Sequence, residues 1–552
     1  MLTITPGDEV HTIDASGGTY SIGFTANGAW SVTEALTWAT VTPSSGDSSV
    51  TSLQVTVLPS ALKTARIGII KIGNQTHTLT QTGVAAIPVI GPLTGTYQAI
   101  VGGDFTLTIP TTNAPVTYTA TNLPPGLTLS NSTGILSGIP TKPGTYVMTV
   151  KAKNVVGSAA DTLTFTVEVQ PLATGTVGTF NGLIDRDSVL NRNLGSRLVL
   201  TTTASGSYTG KLNTGTTAIS FKGVLTATTS DPAKATLSVA LPTLGATLSL
   251  TLDDATDSLT GTLSDGGGNT TTVNAWRNSW ADVTDNAADF AGLHTFYLAQ
   301  PDTAVYLPQG YGYGSFVVSA KTGALTFSGK LADGSALTGS TFVGQSGQVL
   351  LYLPLYSSRG SLAGKLTITP GASAPVDNTL AGTPTWLKPD PQANSKDTVY
   401  RAGFGPLTLT AAGGAYTAPT AGTLVLALSV GTDNAKLRFT GGALTNPGFN
   451  QLLTIYNPSV TGLTNKTTVA INSNSVKLPM LTAVTGQFTG EFTITGATAA
   501  LNRKAPFSGQ VVTTSADGTK GYGFFLLPKE PATGETVTTS PKLSGSVLLG
   551  PP

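Results

Sequence analysis

The sequence predicts an all-β protein in which tandem β-sandwiches precede antiparallel β-barrels or sandwiches built from repeats. Three observations support this fold class. Short apolar runs alternate with turns along 552 residues, of which 65 are glycine and 33 are proline. Hairpin-like segments recur, which is typical of antiparallel meanders that must close to bury their apolar faces. A chain of this length also exceeds the size of one hydrophobic core, so we expect several domains.

The composition narrows the classes of function. Charged residues make up 10% of the chain, against about 25% in an ordinary soluble domain. With 29 basic and 28 acidic residues the net charge is +1, so nothing favours nucleic acid or an anionic membrane. Cysteine is absent, which excludes disulfides and thiol nucleophiles. The three histidines, His11, His77 and His294, lie far apart, and we expect no metal and no cofactor.

The N-terminal residues and the hydropathy bear on localisation. The segment MLTITPGDEVHTIDASGG shows no basic region followed by an apolar stretch, so no signal peptide is visible. We expect either a mature fragment of an exported protein or a protein released by lysis, as a phage product is. No apolar run approaches the ~18 to 20 residues of a transmembrane helix, and no membrane span is expected.

The stretch LPPGLTLSNSTGILSGIPTKPGTYVMTV, residues 123–150, predicts a local fold from its turns alone. Leu123–Leu127 and Asn131–Gly134 read as tight turns that lead into short strands, and Pro143-Gly144 opens an alternating run. These features leave no room for a helix. With a last strand at 159–169, residues 88–170 resemble the Ig-like repeat of bacterial surface proteins, which is related to the cadherin-like modules of dystroglycan. The resemblance implies a spacer and adhesion module.

Residues 12–84 form another module. Strand-like alternation at Thr19–Phe24 is followed by an Asn-Gly turn, and Pro43-Ser44-Ser45-Gly46 precedes the alternating Leu53, Val55 and Val57. The module resembles a BACON domain in the order of its motifs, which are Trp30, Trp38, Pro-Ser-Ser-Gly, Ala-Arg-Ile-Gly and Gln-Thr-Gly. This resemblance implies an Ig-like sandwich of the kind found ahead of carbohydrate-active domains and in phage tail proteins.

From about residue 175 the chain repeats a hairpin. Its first copy pairs 206–212 with 219–225, its second pairs 314–318 with 325–331, and its third pairs 486–492 with 505–511. A strand with the pattern X-Leu-X-Gly-X-apolar accompanies each copy, at 258–263, 360–366 and 542–547. We interpret the strand glycines as positions that allow a bend and leave room for an aromatic ring of the neighbouring strand. These repeats are similar to the C-terminal modules of large repeat-rich secreted bacterial proteins.

Six aromatic or basic residues are the candidate ligand-binding residues: Trp30, Trp276, Arg277, Trp280, Tyr311 and Tyr313. An exposed indole or phenol face stacks on a sugar ring, and an arginine beside it can donate hydrogen bonds to hydroxyl groups. The alternative is that these rings are core residues. In that case the irregular segment 275–291 is a packed plug, and the Tyr-Gly-Tyr-Gly at 311–314 is a structural strand repeated at 521–525.

The predicted domains are a BACON-like sandwich at 1–85, an Ig-like sandwich at 86–170, a repeat-built domain at 171–390 with halves at 171–282 and 283–390, and a related domain at 391–552. No catalytic motif is present, and we expect no enzyme activity. We expect an extracellular or cell-surface adhesion protein that binds a carbohydrate or a surface, with a glycan or a cell-surface or virion protein as its partner. Homo-oligomerisation stays open. The alternatives are a virion structural protein, such as a phage tail fibre or spike, and the accessory region of a carbohydrate-active enzyme.

Overall fold

The computed structural model describes residues 3–4, 9–84, 86–113, 117–154, 159, 162–215, 217–280, 286–302, 304–390, 397–445, 447–459, 461–469 and 473–552. Its secondary structure is almost entirely β. The helices of this described part are six single 3-10 turns, at Thr174–Thr176, Pro242–Leu244, Asp254–Thr256, Ala288–Phe290, Val425–Ala427 and Ala499–Leu501. None of them is long and apolar enough to cross a membrane.

The chain divides into two compact units. The first comprises residues 1–99, 104–140 and 144–169, and the second comprises 100–103, 141–143 and 170–552. The first unit holds two small sandwiches, and the second holds three large antiparallel sheets. The all-β prediction is therefore confirmed.

The first sandwich contains nine strands, which pair as β1-β3-β7-β5 in one sheet and as β2-β9-β8-β4-β6 in the other. Their bounds are β1 (Thr3–Ile4), β2 (Val10–Ile13), β3 (Gly18–Thr25), β4 (Trp30–Thr33), β5 (Ala39–Thr42), β6 (Ser45–Gly46), β7 (Ser52–Val57), β8 (Arg66–Ile72) and β9 (Gln75–Gln81). Alternate residues of both sheets meet in one core, which includes Phe24, Val55 and Ile70. Burial of every second residue is the reason that the strand pattern was readable in the sequence.

The second module also contains nine strands, in sheets ordered β11-β18-β17-β14, β12-β16-β15 and β10-β13. The strands are β10 (Val89–Ile90), β11 (Thr96–Ile100), β12 (Phe105–Thr108), β13 (Thr111–Thr112), β14 (Thr117–Thr121), β15 (Leu127–Leu129), β16 (Ile135–Gly138), β17 (Gly144–Lys153) and β18 (Leu163–Gln170). The turns predicted within 123–150 are present. Gly126 has a φ of +94°, and a Cβ there would lie 2.0 Å from the carbonyl oxygen of Ile139, so this turn requires glycine.

The first large sheet of the second unit has nine strands in the order β22-β21-β20-β19-β27-β26-β25-β24-β23. They are β19 (Gly178–Ile184), β20 (Ser196–Thr202), β21 (Ser207–Thr214), β22 (Thr217–Val224), β23 (Thr226–Thr228), β24 (Asp231–Leu241), β25 (Ala246–Asp253), β26 (Ser258–Asp265) and β27 (Thr270–Arg277). The first and last long strands pair, and β22 contacts β24, so the meander curls into a barrel-like form.

The second large sheet has ten strands. They are β28 (Gly292–Ala299), β29 (Gly312–Val318), β30 (Ala324–Lys330), β31 (Ala336–Phe342), β32 (Gln348–Leu355), β33 (Gly360–Thr369), β34 (Thr379–Gly382), β35 (Thr385–Lys388), β36 (Phe404–Thr408) and β37 (Thr410–Ala415). The order is β31-β30-β29-β28-β37-β34-β33-β35-β36, with β32 paired to β33. Contacts between β31 and β32 complete a second barrel-like form.

The third large sheet has eight strands in the order β40-β39-β38-β45-β44-β43-β42-β41. They are β38 (Ala435–Gly441), β39 (Phe449–Tyr456), β40 (Lys466–Val469), β41 (Lys477–Thr482), β42 (Gln487–Ile494), β43 (Arg503–Thr514), β44 (Gly518–Pro528) and β45 (Lys542–Gly550). Its interior is filled by aromatic rings, among them the fully buried Phe439, Phe492 and Phe525. The interior is therefore a packed core.

The ten-stranded sheet runs past the domain boundary that the sequence indicated near residue 391. Strands β36 and β37 lie beyond that point, and β37 pairs with both β28 and β34. Just before this boundary, Thr385–Lys388 is strand β35. Pairing across more than 100 residues of chain places these strands, and local composition does not report such pairing.

Strand glycines face aromatic rings in all three large sheets, as we interpreted them. A Cβ at Gly210 would lie 2.1 Å from the ring of Phe221, one at Gly509 would lie 2.2 Å from Phe488, and one at Gly545 would lie 2.1 Å from Phe525. All three contacts join residues paired between neighbouring strands. The glycines are therefore required because each ring occupies the space of the missing side chain.

Gly509→Ala should destabilise the second unit by about 1–3 kcal/mol, because the added methyl group overpacks the ring of Phe488. Gly518→Ala is a control for adding a methyl group without a clash, since nothing lies within 4 Å of its Cβ position, although its φ of +68° adds local strain. Thermal unfolding measures both. A lower midpoint for Gly518→Ala than for Gly509→Ala would contradict the ring-contact explanation.

Candidate functional site

The second unit contains an open cleft between its nine-stranded and ten-stranded sheets. The cleft has a volume of about 740 Å³, within the range of small-ligand sites. One wall is the outer face of β19 and β20, and the other is formed by β29, β30 and β31. The lining residues are Thr179, Asn181, Arg197, Val199, Val317, Ala324, Leu325, Thr326, Ser340, Thr341 and Phe342.

Strand alternation places a guanidinium group in the first wall. Leu198 and Leu200 of β20 are fully buried inside their sheet, so Arg197 and Val199, at the alternate positions of the strand, face outward into the cleft. Arg197 Nε donates a hydrogen bond to Asn181 Oδ1 at 3.0 Å. Asn181 Nδ2 in turn donates to Thr341 Oγ1 at 2.9 Å. The amide of Asn181 thus orients the arginine and joins the two walls.

Arg197 carries a positive charge that no carboxylate of the described chain neutralises. It takes part in none of the ion pairs of the described residues, and its two terminal nitrogens have no hydrogen-bond partner among them. Burial lowers the pKa of Arg197 from its usual value of 12.5, because a charged group loses hydration in the cleft. A ligand with acceptor oxygens would replace the hydrogen bonds to water that the guanidinium group loses in the cleft.

The second wall supplies an apolar surface with hydroxyl groups at its edge. Val317 is 58% exposed, whereas Leu325 and Phe342, which also line the cleft, are buried. Thr326 and Ser340 are exposed. The described lining residues include no aspartate, glutamate or histidine, so the cleft offers hydrogen bonding and apolar contact rather than acid–base chemistry.

The predicted residue Trp30 lies in the core of the first sandwich. It is 7% exposed, its ring meets Phe24 edge-on at 4.8 Å, and its Nε1 donates to the carbonyl oxygen of Asp47 at 3.0 Å. A sugar platform requires an exposed ring face, which Trp30 does not present. Its burial favours the core alternative.

Trp276 and Arg277 belong to strand β27 rather than to an irregular plug. Trp276 is 5% exposed and packs with Phe342 and Tyr352 where the nine-stranded and ten-stranded sheets meet. Its Nε1 finds no partner among the described residues. Arg277 Nε pairs with Asp257 Oδ1 at 2.6 Å. Neither side chain is free to bind a sugar in this arrangement, although Trp276 supports the cleft through its contact with Phe342.

Trp280 lies in the core of the ten-stranded sheet, as the plug alternative required. It is 6% exposed and packs against Phe290 at 5.8 Å. Ala288–Phe290 forms a single 3-10 turn, whereas 281–285, also part of the predicted plug, lie outside the described residues. A ring face of Trp280 is therefore not available for stacking on a ligand.

Tyr311 and Tyr313 lie where the ten-stranded sheet meets the eight-stranded sheet. Tyr313 is 6% exposed and packs near Phe524, while the half-buried Tyr311 meets Tyr522 edge-on at 5.2 Å. The segment 521–525 that repeats the Tyr-Gly pattern thus lies against its counterpart. Burial raises the pKa of both tyrosines. This placement supports the structural interpretation of the repeated strand.

The residues that form the cleft were not predicted. Arg197 had one detectable signal, because it is a charged residue at an alternating position of the strand SRLVLTT in a chain with 10% charged residues. Asn181 and Thr341 had none. They are 160 residues apart, and only the folded second unit brings them together.

A second groove of about 710 Å³ runs along the seam between β40 and β41 of the eight-stranded sheet. Thr467 Oγ1 donates to the carbonyl oxygen of Leu478 across it. Its Lys477 lies 3.6 Å from Glu491, so its charge is already paired. We therefore regard the cleft beside Arg197 as the stronger candidate.

Comparison with known families identifies the second module. Residues 87–170 match the family model described as "Putative Ig domain", so this module is an Ig-like domain, as its turns indicated. No curated protein matches the chain. The BACON resemblance of the first module is not shown by these comparisons and stays a prediction.

Solved structures are similar over parts of the chain. A Bacteroides fragilis protein described as a "putative alpha-galactosidase/melibiase" is 30% identical over 17% of this chain and 20% of its own, with a TM-score of 0.14. A Bacteroides ovatus GH5 xyloglucanase is 15% identical over 26% of this chain and 32% of its own, with a TM-score of 0.16. The I9–I11 tandem of titin is 9% identical over 49% of this chain and 97% of its own, with a TM-score of 0.21. The chain spans a fifth to a third of the two Bacteroides proteins, and scores this low carry no argument about function.

Proposed function

We propose that this chain is a non-catalytic, modular, extracellular or cell-surface adhesion protein. In this proposal the cleft beside Arg197 holds a carbohydrate, and the Ig-like domain and the first sandwich act as spacers. The observation that carries the proposal is the uncompensated guanidinium of Arg197, oriented by Asn181 in the wall of an open cleft. The family match of the second module is consistent with a spacer.

The chemistry of the cleft suits a carbohydrate with acidic groups. A guanidinium group forms bidentate hydrogen bonds with carboxylates and sulfates, and single hydrogen bonds with sugar hydroxyls. The exposed hydroxyls of Thr326 and Ser340 can bind neighbouring hydroxyl groups of the ligand. Val317 provides an apolar surface for the carbon face of a sugar ring. An acidic glycan satisfies all three kinds of group at once.

Arg197→Gln should weaken glycan binding about 10- to 100-fold, the loss expected for one charge-assisted hydrogen-bonding group. The measurement is a screen of the full chain on an array of neutral and acidic glycans, followed by titration of the best ligand. Arg438→Gln is the matched control. Arg438 is a half-buried arginine on β38 of the eight-stranded sheet, outside the cleft, and its loss should leave affinity unchanged.

Three outcomes would count against the proposal. Equal affinity of wild type and Arg197→Gln would exclude the cleft as the binding site. Release of reducing sugar from the bound glycan would contradict a non-catalytic role. Absence of binding by the wild-type chain to every glycan would contradict carbohydrate adhesion, and incorporation into purified virions would then favour the virion alternative.

A further inference from the structure

A side-chain cluster beside the ten-stranded sheet brings a lysine and two aspartates together, with Lys388 and Asp333 buried and the side chain of Asp397 38% exposed. Lys388, at the end of β35, is 5% exposed, and Asp333, in the turn after β30, is 6% exposed. Lys388 Nζ lies 3.3 Å from Asp333 Oδ2 and 2.9 Å from Asp397 Oδ2. Removing such charges from water is costly, so a buried ion pair of this kind contributes little net stability.

Besides Lys388, two further donors hold the carboxyl group of Asp333, one on each oxygen. The backbone N–H of Ser335 donates to Oδ1 at 2.9 Å, and the hydroxyl of Tyr356 donates to Oδ2 at 2.6 Å. Trp386 Nε1 donates to the same tyrosine oxygen at 3.0 Å, and Lys388 Nζ lies 4.7 Å from the centre of the tyrosine ring. Burial, with a further contribution from Asp333, raises the pKa of Tyr356, so the phenol keeps its proton.

We propose that Lys388 and Asp333 condense into an intramolecular amide bond. The nucleophile, the acceptor, a base and a proton donor are all present within hydrogen-bonding distance, in a site shielded by the apolar core that contains Leu331, Ala332 and Trp386. Reacting groups held about 3–3.5 Å apart gain a large rate advantage over free reactants. The product replaces two buried charges with a neutral group, which removes the cost of burying them.

The reaction balances without any further reagent. Asp397 accepts one proton from the Lys388 ammonium, and the resulting amine attacks Cγ of Asp333 to form the C–N bond. Oδ1 carries the negative charge of the tetrahedral intermediate, where the Ser335 N–H stabilises it. Oδ2 leaves as water with one proton from the attacking nitrogen and one from Tyr356, and the proton held by Asp397 then returns to Tyr356. One amide and one water replace an ammonium and a carboxylate.

The bond would link distant parts of one sheet. Strands β30 and β35 are separated by five other strands in the sheet order, so the amide would join two regions that backbone hydrogen bonding does not connect directly. A module strengthened in this way would resist pulling forces that separate strands. This role suits a spacer but does not depend on the proposed carbohydrate binding.

Intact-mass spectrometry of the purified full chain tests the proposal. The wild type should be one water lighter than its sequence mass, and a digest should yield one branched peptide that joins Asp333 to Lys388. Lys388→Met should have its full sequence mass, whereas Asp333→Asn should still react and become one ammonia lighter. Asp397→Asn keeps both bond partners but lacks the base, and we expect it to show its full mass.

Lys520→Met is the matched control, because Lys520 Nζ lies 3.2 Å from Asp517 Oδ1 on the exposed surface. This variant should retain the loss of water. A wild-type chain with its full sequence mass and separate peptides would overturn the proposal, and this result does not depend on the folding of any variant. Loss of water in Asp397→Asn at the wild-type rate would overturn the assignment of Asp397 as the base.

Discussion

Arg186→Met should lower the free energy of unfolding of the second unit by about 3–5 kcal/mol, because several acceptors lose a charged donor at once. The guanidinium of Arg186, just after β19, donates to five atoms. Nε donates to Thr385 Oγ1 at 2.7 Å, Nη1 to Ser361 Oγ at 2.7 Å and to the carbonyl oxygen of Asn193, and Nη2 to the carbonyl oxygens of Ser361 at 3.1 Å and Thr385 at 2.8 Å. These bonds connect the nine-stranded sheet to β33 and β35 of the ten-stranded sheet.

The acceptors of Arg186 are all uncharged. Burial lowers its pKa from 12.5 to about 10, so the group stays charged at neutral pH and relies on these hydrogen bonds for solvation. A lysine ammonium group cannot reproduce the planar set of donors of the guanidinium group. Arg186→Lys should therefore recover less than half of the stability that Arg186→Met loses.

Urea unfolding followed by tryptophan fluorescence measures this effect. Trp276, Trp280 and Trp386 lie in or between the two sheets that Arg186 joins. Arg192→Met is the control because Arg192 is exposed in the same loop, and its effect should stay within about 0.5 kcal/mol. An unchanged midpoint for Arg186→Met would show that the five hydrogen bonds do not hold the sheets together.

Acidification from about pH 6.5 to about pH 4 should cost the second unit roughly 3 kcal/mol through His294 alone. His294 on β28 is fully buried. Burial lowers its pKa from 6.5 to about 4, partly offset by a hydrogen bond to the carbonyl oxygen of Gly292 at 3.2 Å. In this pH range His294 is therefore protonated in the unfolded chain but neutral in the folded chain. The part of the unfolding free energy that depends on His294 is fully present above pH 6.5. It falls as the pH drops to about 4, and further acidification takes nothing more through this residue.

NMR titration of histidine-labelled protein measures the pKa directly, and only three histidines contribute signals. His294→Gln should remove this part of the pH dependence, so its stability relative to the wild type should improve as the pH falls. A midpoint near pH 6.5 for the His294 signal would contradict the explanation by burial.

The hairpins show what local sequence could reveal. Gly314–Val318 and Leu325–Leu331 were predicted to pair, and β29 and β30 do so over Tyr313–Val318. The alternation of apolar and polar residues along a strand and the glycines of turns are local properties, so they can be recognised without the rest of the chain. The family match at 87–170 likewise agrees with the turns seen in 123–150.

The candidate site shows what the local sequence left open. Trp276 and Trp280 were candidates for stacking on a sugar, with a packed plug as the alternative, and both are at most 6% exposed. The exposure of a side chain depends on which sheet packs against its strand, and the sequence of one strand does not identify the sheet that packs against it. For the same reason the hydrogen bond between Asn181 and Thr341 could not be predicted from the sequence.

By itself, the sequence determined the all-β class, the Ig-like domain and the hairpin repeats, because strands and turns follow from periodicity and backbone preference over a few residues. Tertiary structure alone decided that β37 completes the ten-stranded sheet, that Asn181 orients Arg197, and that Lys388 lies between two aspartates. Those arrangements depend on contacts between residues far apart in the chain. Their energies are set by burial, which exists only once the sheets have closed.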